Sequence, residues 1–131
     1  GNHDAHAKNF SLLYSGKAPV LAPSYDTLST AAYPTMTQKM AMKIGSNYKF
    51  SEVQARHWEQ FAESVGLTKA QAKRRILELA KLLPANARKL QFAPERGFVG
   101  NAVVEQISTL IEHCCALTIR RLNVPATESS V

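Results

Sequence analysis

Gly1-Asn2-His3-Asp4-Ala5-His6-Ala7-Lys8-Asn9-Phe10-Ser11 opens the chain, and Leu21-Ala22-Pro23-Ser24-Tyr25-Asp26-Thr27-Leu28-Ser29 follows after a short apolar stretch. The first nine residues hold one carboxylate, one amine, two imidazoles and two side-chain amides. A loop of this composition cannot build a core, so its side chains are free to build a site. The acids point the same way. From Gly1 to Ser51 the only carboxylate side chains are Asp4 and Asp26, and the rest lie from Glu52 onward.

Outward from this stretch, Phe10 to Tyr14 reads as a strand, Ser15-Gly16-Lys17 as a turn, and Val20 to Ala22 as a returning strand. Pro23 and Pro34 bracket an irregular segment around Tyr25 and Asp26. Met40 to Ile44 is expected as a short strand stopped by Gly45. The remainder has helical texture. Ser51 with Gln54 fits an S-x-x-Q capping box, and Thr68 with Gln71 repeats it. Val53, Trp58, Phe61 and Val65 form one apolar face ended by Gly66, with Trp58 expected in the core. Ala72, Ile76, Leu79, Ala80 and Leu83 form a second face, which Pro84 should kink or break. A further helical piece to Leu90 and a third pattern over Val103 to Leu122 follow, and Pro125 to Val131 reads as a frayed, flexible tail.

The chain has 131 residues, 45% of them hydrophobic, enough for one folded unit and too many for a disordered one. No uninterrupted apolar run approaches the roughly 20 residues of a membrane span, and the start has no secretory pattern. The absence of an initial Met suggests a piece of a longer protein. Cys114 and Cys115 are neighbours in a helical pattern and point about 100° apart, so a useful disulfide between them is not expected. The net charge of +6 suits an anionic partner without selecting one. Lys73-Arg74-Arg75 and Arg120-Arg121 read first as solvated helix faces.

Asp4 and Asn9 stand five apart, the D-x-x-x-x-N spacing of the protein-kinase catalytic loop. There an Asp accepts the proton of the attacking hydroxyl and an Asn supplies an oxygen to Mg²⁺. A second metal-binding carboxylate usually follows a short hairpin, and Asp26 stands where it is needed. Simple turn-forming roles for Asp4 and Asn9, a surface role for Asp26, packing for Tyr25, and a His3/Asp4/His6 zinc cluster are the competing readings.

The string Asp4 to Ser11, with Pro23 to Asp26 and Lys39-Met40-Ala41-Met42-Lys43-Ile44-Gly45, resembles the HipA family of serine/threonine kinase toxins. The resemblance implies an α+β, mainly α fold: the C-terminal lobe of a kinase-like protein with a small β-hairpin at its active-site edge. It covers residues 1–124, with the catalytic loop, hairpin and metal-binding segment in 1–50 and a helical part in 51–124. It implies Asp4 as catalytic base, Asn9 and Asp26 as Mg²⁺ ligands, and His6, Lys8 and Tyr25 along the ATP site. It further implies a translation-related protein substrate, a DNA-binding antitoxin as partner, cytoplasmic location, and an ATP-gripping N-terminal lobe before Gly1. Without that lobe the chain is expected not to turn over alone, and to expose apolar surface. The alternative is a basic helical binding module, or an inactive kinase remnant, docking an antitoxin or nucleic acid.

Overall fold

Thr68 and Gln71 fix the start of the longest helix. The Thr68 hydroxyl accepts from the Gln71 N–H (3.1 Å), and Gln71 Oε1 accepts from the Thr68 N–H (2.9 Å). The expected capping box is thus formed, satisfying donors that a helix start leaves free. Helix α2 runs from it over Lys69–Gln91, preceded by α1 (Ala55–Ser64) and followed by α3 (Ala102–Asn123). The Asn101 side chain starts α3 by accepting from the N–H groups of Val103 and Val104 (3.0 and 3.1 Å). The computed structural model describes residues 1–124, and the expected tail at 125–131 lies outside them.

Helix α2 packs along α3 and against α1. The buried contacts are small: Ala62, Ala72, Ala80 and Cys115 are covered, together with Val53 and Leu122. Small side chains let helices approach closely, but each contributes little apolar area. Polar links supplement them. Lys69 of α2 reaches Glu59 and Glu63 of α1 at 3.0 and 3.5 Å. Arg88 of α2 makes a two-pronged contact with Glu112 of α3, Nε to Oε1 and Nη2 to Oε2, both at 2.7 Å. That guanidinium holds the Glu112 carboxyl below its ordinary range. Both cysteines are free; Cys115 is buried, and that burial, followed by the neighbouring Cys114, pushes its thiol up and disfavours the thiolate.

The expected hairpin is present but short. Strand β1 (Leu12–Leu13) pairs antiparallel with β2 (Val20–Leu21), and Ala22 N–H donates to Ser11 O at 2.8 Å. All four of these strand side chains are exposed apolar groups. The strand expected at Met40 is β3 (Lys39–Ile44), and it has a partner that the sequence reading missed, β4 (Asn47–Lys49). Lys39 faces Lys49 across this pair. The like charges are separated by other contacts: Lys39 Nζ sits 5.0 Å from the Tyr48 ring centre, and Lys49 Nζ reaches Glu52 at 3.3 Å. Gly45 turns the chain with φ +59°, matching the Gly-X hairpin turn. Among the described residues 54% are helical, 3₁₀ turns included, and 10% are in strands, the α+β, mainly α class expected.

Several local expectations fail for physical reasons. The box expected at Ser51/Gln54 is displaced: Phe50–Glu52 forms a 3₁₀ turn, and Gln54 becomes the N-cap of α1, its N–H donating to His57 Nδ1 at 2.8 Å. No break occurs at Pro84, because losing one ladder bond is outweighed where Ala80 before it and Gln91 after it are buried. Trp58 is only half-buried, lying edge-on to Phe61 at 6.2 Å and bordering an open cleft. Arg121 is not a solvated charge: it donates to Val53 O and Ser51 O, both at 2.7 Å. By length and composition alone α3 could cross a membrane, although no such span was expected; here one face packs on α2, and Ser108, Cys115, Thr118 and Leu122 are buried.

Two stability experiments follow. A Cβ at Gly45 would stand 2.5 Å from His57 O, in a backbone region unfavourable to side chains. Gly45→Ala should lower unfolding free energy by more than about 1 kcal/mol in urea titration. His57 is buried and accepts through an unprotonated nitrogen. Burial first, and Arg56 second, lower its pKa below 6.5. The unfolded chain therefore takes up this proton more readily than the folded one. The contribution is complete above about pH 6.5 and is lost as pH falls through the lowered folded value, so the urea midpoint should drop there and His57→Gln should flatten that slope.

Candidate active site

The loop before the hairpin is organised by Asn9. Residues Ala7–Asn9 form a single 3₁₀ turn, closed by Asn9 N–H to His6 O at 3.0 Å. The His6 N–H donates to Asn9 Oδ1 at 2.9 Å. Because that partner is a donor, the amide oxygen must face it, and Nδ2 turns outward to Asp26 Oδ2 at 3.2 Å. The β1–β2 hairpin spans the interval between them, so Asn9 and Asp26 meet across 17 residues of sequence. Asp26 adopts φ +54°, a left-handed conformation that Asp tolerates better than most residues.

Tyr25 fixes the other side of this junction. Its hydroxyl donates to Lys8 O at 2.9 Å and lies 2.8 Å from Ser11 Oγ. The tyrosine expected along an ATP site is here a strut that holds the Asp26 segment on the loop. Lys8 is exposed, and among the described residues it forms no ion pair. His6 is half-buried, and its Nδ1 is a buried side-chain atom without a partner among the described residues.

Asp4 belongs to a different set of contacts. It is exposed, its N–H donates to Asn2 Oδ1 at 3.0 Å, and it lines a cavity of about 310 Å³ with His3, Thr30, Thr37 and Lys39. Larger clefts beside Trp58 and Tyr48, of about 480 and 630 Å³, contain none of the expected site residues. In the sequence His3 stands out only as a candidate zinc ligand. It is instead buried, its N–H donating to Thr30 Oγ1 (2.8 Å) and its ring to Thr37 O (3.2 Å). Its spacing next to Asp4 was visible in the sequence; its partners, 27 and 34 residues away, were not.

Asn9 and Asp26 offer hard oxygen donors. The Asn9 oxygen accepts one hydrogen bond and retains a second lone pair, and Asp26 is an exposed carboxylate. Among the described residues no group of three or more His, Cys, Asp or Glu forms a cluster that could cage a metal. A carboxylate with one further oxygen matches the way Mg²⁺ is held, through few protein ligands plus water and phosphate. The donor types present fit this ion once the Asn9 amide turns Oδ1 rather than Nδ2 toward Asp26, and do not fit a structural zinc site.

The family model for the HipA-like C-terminal domain matches residues 1–87. A Sinorhizobium fredii protein, Y4mE, named as a candidate kinase, is 48% identical over 79 residues, covering 60% of this chain and 19% of that protein. A candidate kinase of Haemophilus influenzae is 30% identical over 84 residues, covering 53% of this chain and 24% of that one. The serine/threonine-protein kinase toxin HipA of Shewanella oneidensis is 27% identical over 84 residues, covering 64% and 19%. The chain thus spans about a fifth to a quarter of the length of these relatives. In a solved complex of Shewanella oneidensis HipA, HipB and operator DNA, one chain matches 96% of this chain and 31% of its own length, with a TM-score of 0.74 at 21% identity. That likeness carries the fold, and the matched residues 1–87 carry the family: this chain belongs to the HipA-like C-terminal domain family.

Proposed function

We propose that the chain supplies the C-terminal catalytic lobe of a HipA-like serine/threonine protein kinase. The observation that carries this reading is the meeting of Asn9 and Asp26, 3.2 Å apart, across the intervening hairpin. Asp4 then acts as the general base: its carboxylate accepts the proton of a protein serine or threonine hydroxyl entering the adjoining cavity. Asn9 and Asp26 would hold Mg²⁺, the Asn9 amide turning its oxygen in place of Nδ2 toward the ion. Tyr25 keeps these two segments together, and Lys8, exposed beside Asn9, meets phosphate charge; His6 borders the same site. ATP bound with Mg²⁺ supplies the phosphoryl group and the charge neutralisation that transfer requires.

The remaining three quarters or more of a relative-length protein would contribute the rest of the ATP site, and this chain alone should not turn over. The solved relative is a toxin–antitoxin complex of HipA with HipB and operator DNA, which supports a DNA-binding antitoxin as the partner; a translation-related protein substrate and action in the cytoplasm belong to the same proposal. The competing basic-module reading loses one of its cations, since Arg121 is committed to backbone carbonyls.

Radiolabelled phosphate transfer to a protein acceptor, measured on the full-length gene product, tests the proposal. Asp4→Asn should reduce transfer by about a hundredfold or more with the fold retained. Asp26→Ala should remove the Mg²⁺-dependent rate. Undiminished Mg²⁺-dependent transfer in the Asp26→Ala protein would defeat the assignment.

A further inference from the structure

His3 is the only buried residue before Thr30, and it immediately precedes the proposed base. Its hydrogen-bonding groups are committed in three directions. The N–H donates to Thr30 Oγ1 (2.8 Å), and the carbonyl accepts from Ala41 N–H (2.7 Å). The ring Nδ1 lies 3.2 Å from Thr37 O. Thr30 Oγ1 in turn donates to Gly1 O at 3.2 Å, so the loop start is held from the same side. A carbonyl can only accept, so Nδ1 carries the proton in this contact.

Thr30, Thr37 and Ala41 also line the cavity that Asp4 borders. One wall of that cavity is the loop, and another is the 36–41 segment entering β3. His3 joins the two, through its backbone to Ala41 and through its ring to Thr37. Resting on the reading of Asp4 as base, we infer that His3 is a positioning residue that sets the spacing between the Asp4 carboxylate and the wall along which the acceptor hydroxyl enters. It touches neither the reacting atoms nor the Asn9–Asp26 pair. Its loss should therefore change the chemical step and leave nucleotide affinity alone.

The experiment compares His3→Asn with His3→Gln in the full-length gene product. The Asn amide nitrogen can take the place of Nδ1 and still donate to Thr37 O, whereas the longer Gln places its nitrogen near the Nε2 position. His3→Asn should keep most of kcat, and His3→Gln should lose about tenfold or more, since small misplacements of reacting groups are costly. In both, KM for ATP should stay within about twofold, the split expected for an interaction outside the nucleotide site. Equal activity in the two variants, or a KM for ATP that rises as kcat falls, overturns the role. Absence of transfer by the unsubstituted protein instead sinks the kinase reading on which it rests. Nitrogen NMR of ¹⁵N-histidine in the same protein gives a readout independent of catalysis: a proton on Nδ1 of His3 is expected, and a neutral ring protonated on Nε2 overturns the anchoring contact itself.

Discussion

Side chains of α3 grip backbone carbonyls of the non-helical half, and the arrangement of the site depends on that grip. Gln106 donates to Ala32 O at 3.1 Å, and Arg121 donates to Val53 O and Ser51 O. The first 50 residues have little apolar burial of their own. Ala32 is the one buried apolar residue there, while Phe10, Leu12, Leu13, Val20 and Leu21 face outward. Hydrophobic contact therefore cannot by itself fix where the loop and hairpin sit. Directional bonds do so, and a buried carbonyl left without its donor would be costly to keep.

This division explains the layout of the site. Tyr25, Asn9 and the hairpin form one local unit, closed by bonds among residues 6 to 26. His3, Thr30 and Ala41 tie the other end of the loop to the β3 side. The proposed base Asp4 thus shares one short loop with Asn9, Asp26 joins Asn9 from beyond the hairpin, and the two parts of the site are braced by separate structures. That suits phosphoryl transfer, in which catalysis is largely positioning and charge placement.

The helices were legible where a local rule was left undisturbed. Thr68 and Gln71 form their box because both are exposed and nothing competes for them. Ser51 and Gln54 fit the same rule, but Arg121 claims the Ser51 carbonyl and His57 claims the Gln54 N–H, so the helix starts later. β4 escaped because Asn47-Tyr48-Lys49 is too short for its alternation to stand out, and only its pairing with β3 makes it a strand. In the site, the meeting of Asn9 and Asp26 was readable because hairpin-linked groups are close in sequence. His3 was not, since nothing local reveals that its ring will meet a carbonyl 34 residues away.

The left-handed backbone at Asp26 confines what this position can become. Glycine would relax the main chain and discard the side chain. Asparagine would keep the conformation and shape but not the negative charge. Glutamate would keep the charge while fitting the left-handed region less well and moving the oxygens further out. Comfort of the fold and ionic character are therefore separable here. A selection for thermal stability alone would be free to drift away from Asp, whereas a selection for a carboxylate next to Asn9 would hold the chain at a locally imperfect residue.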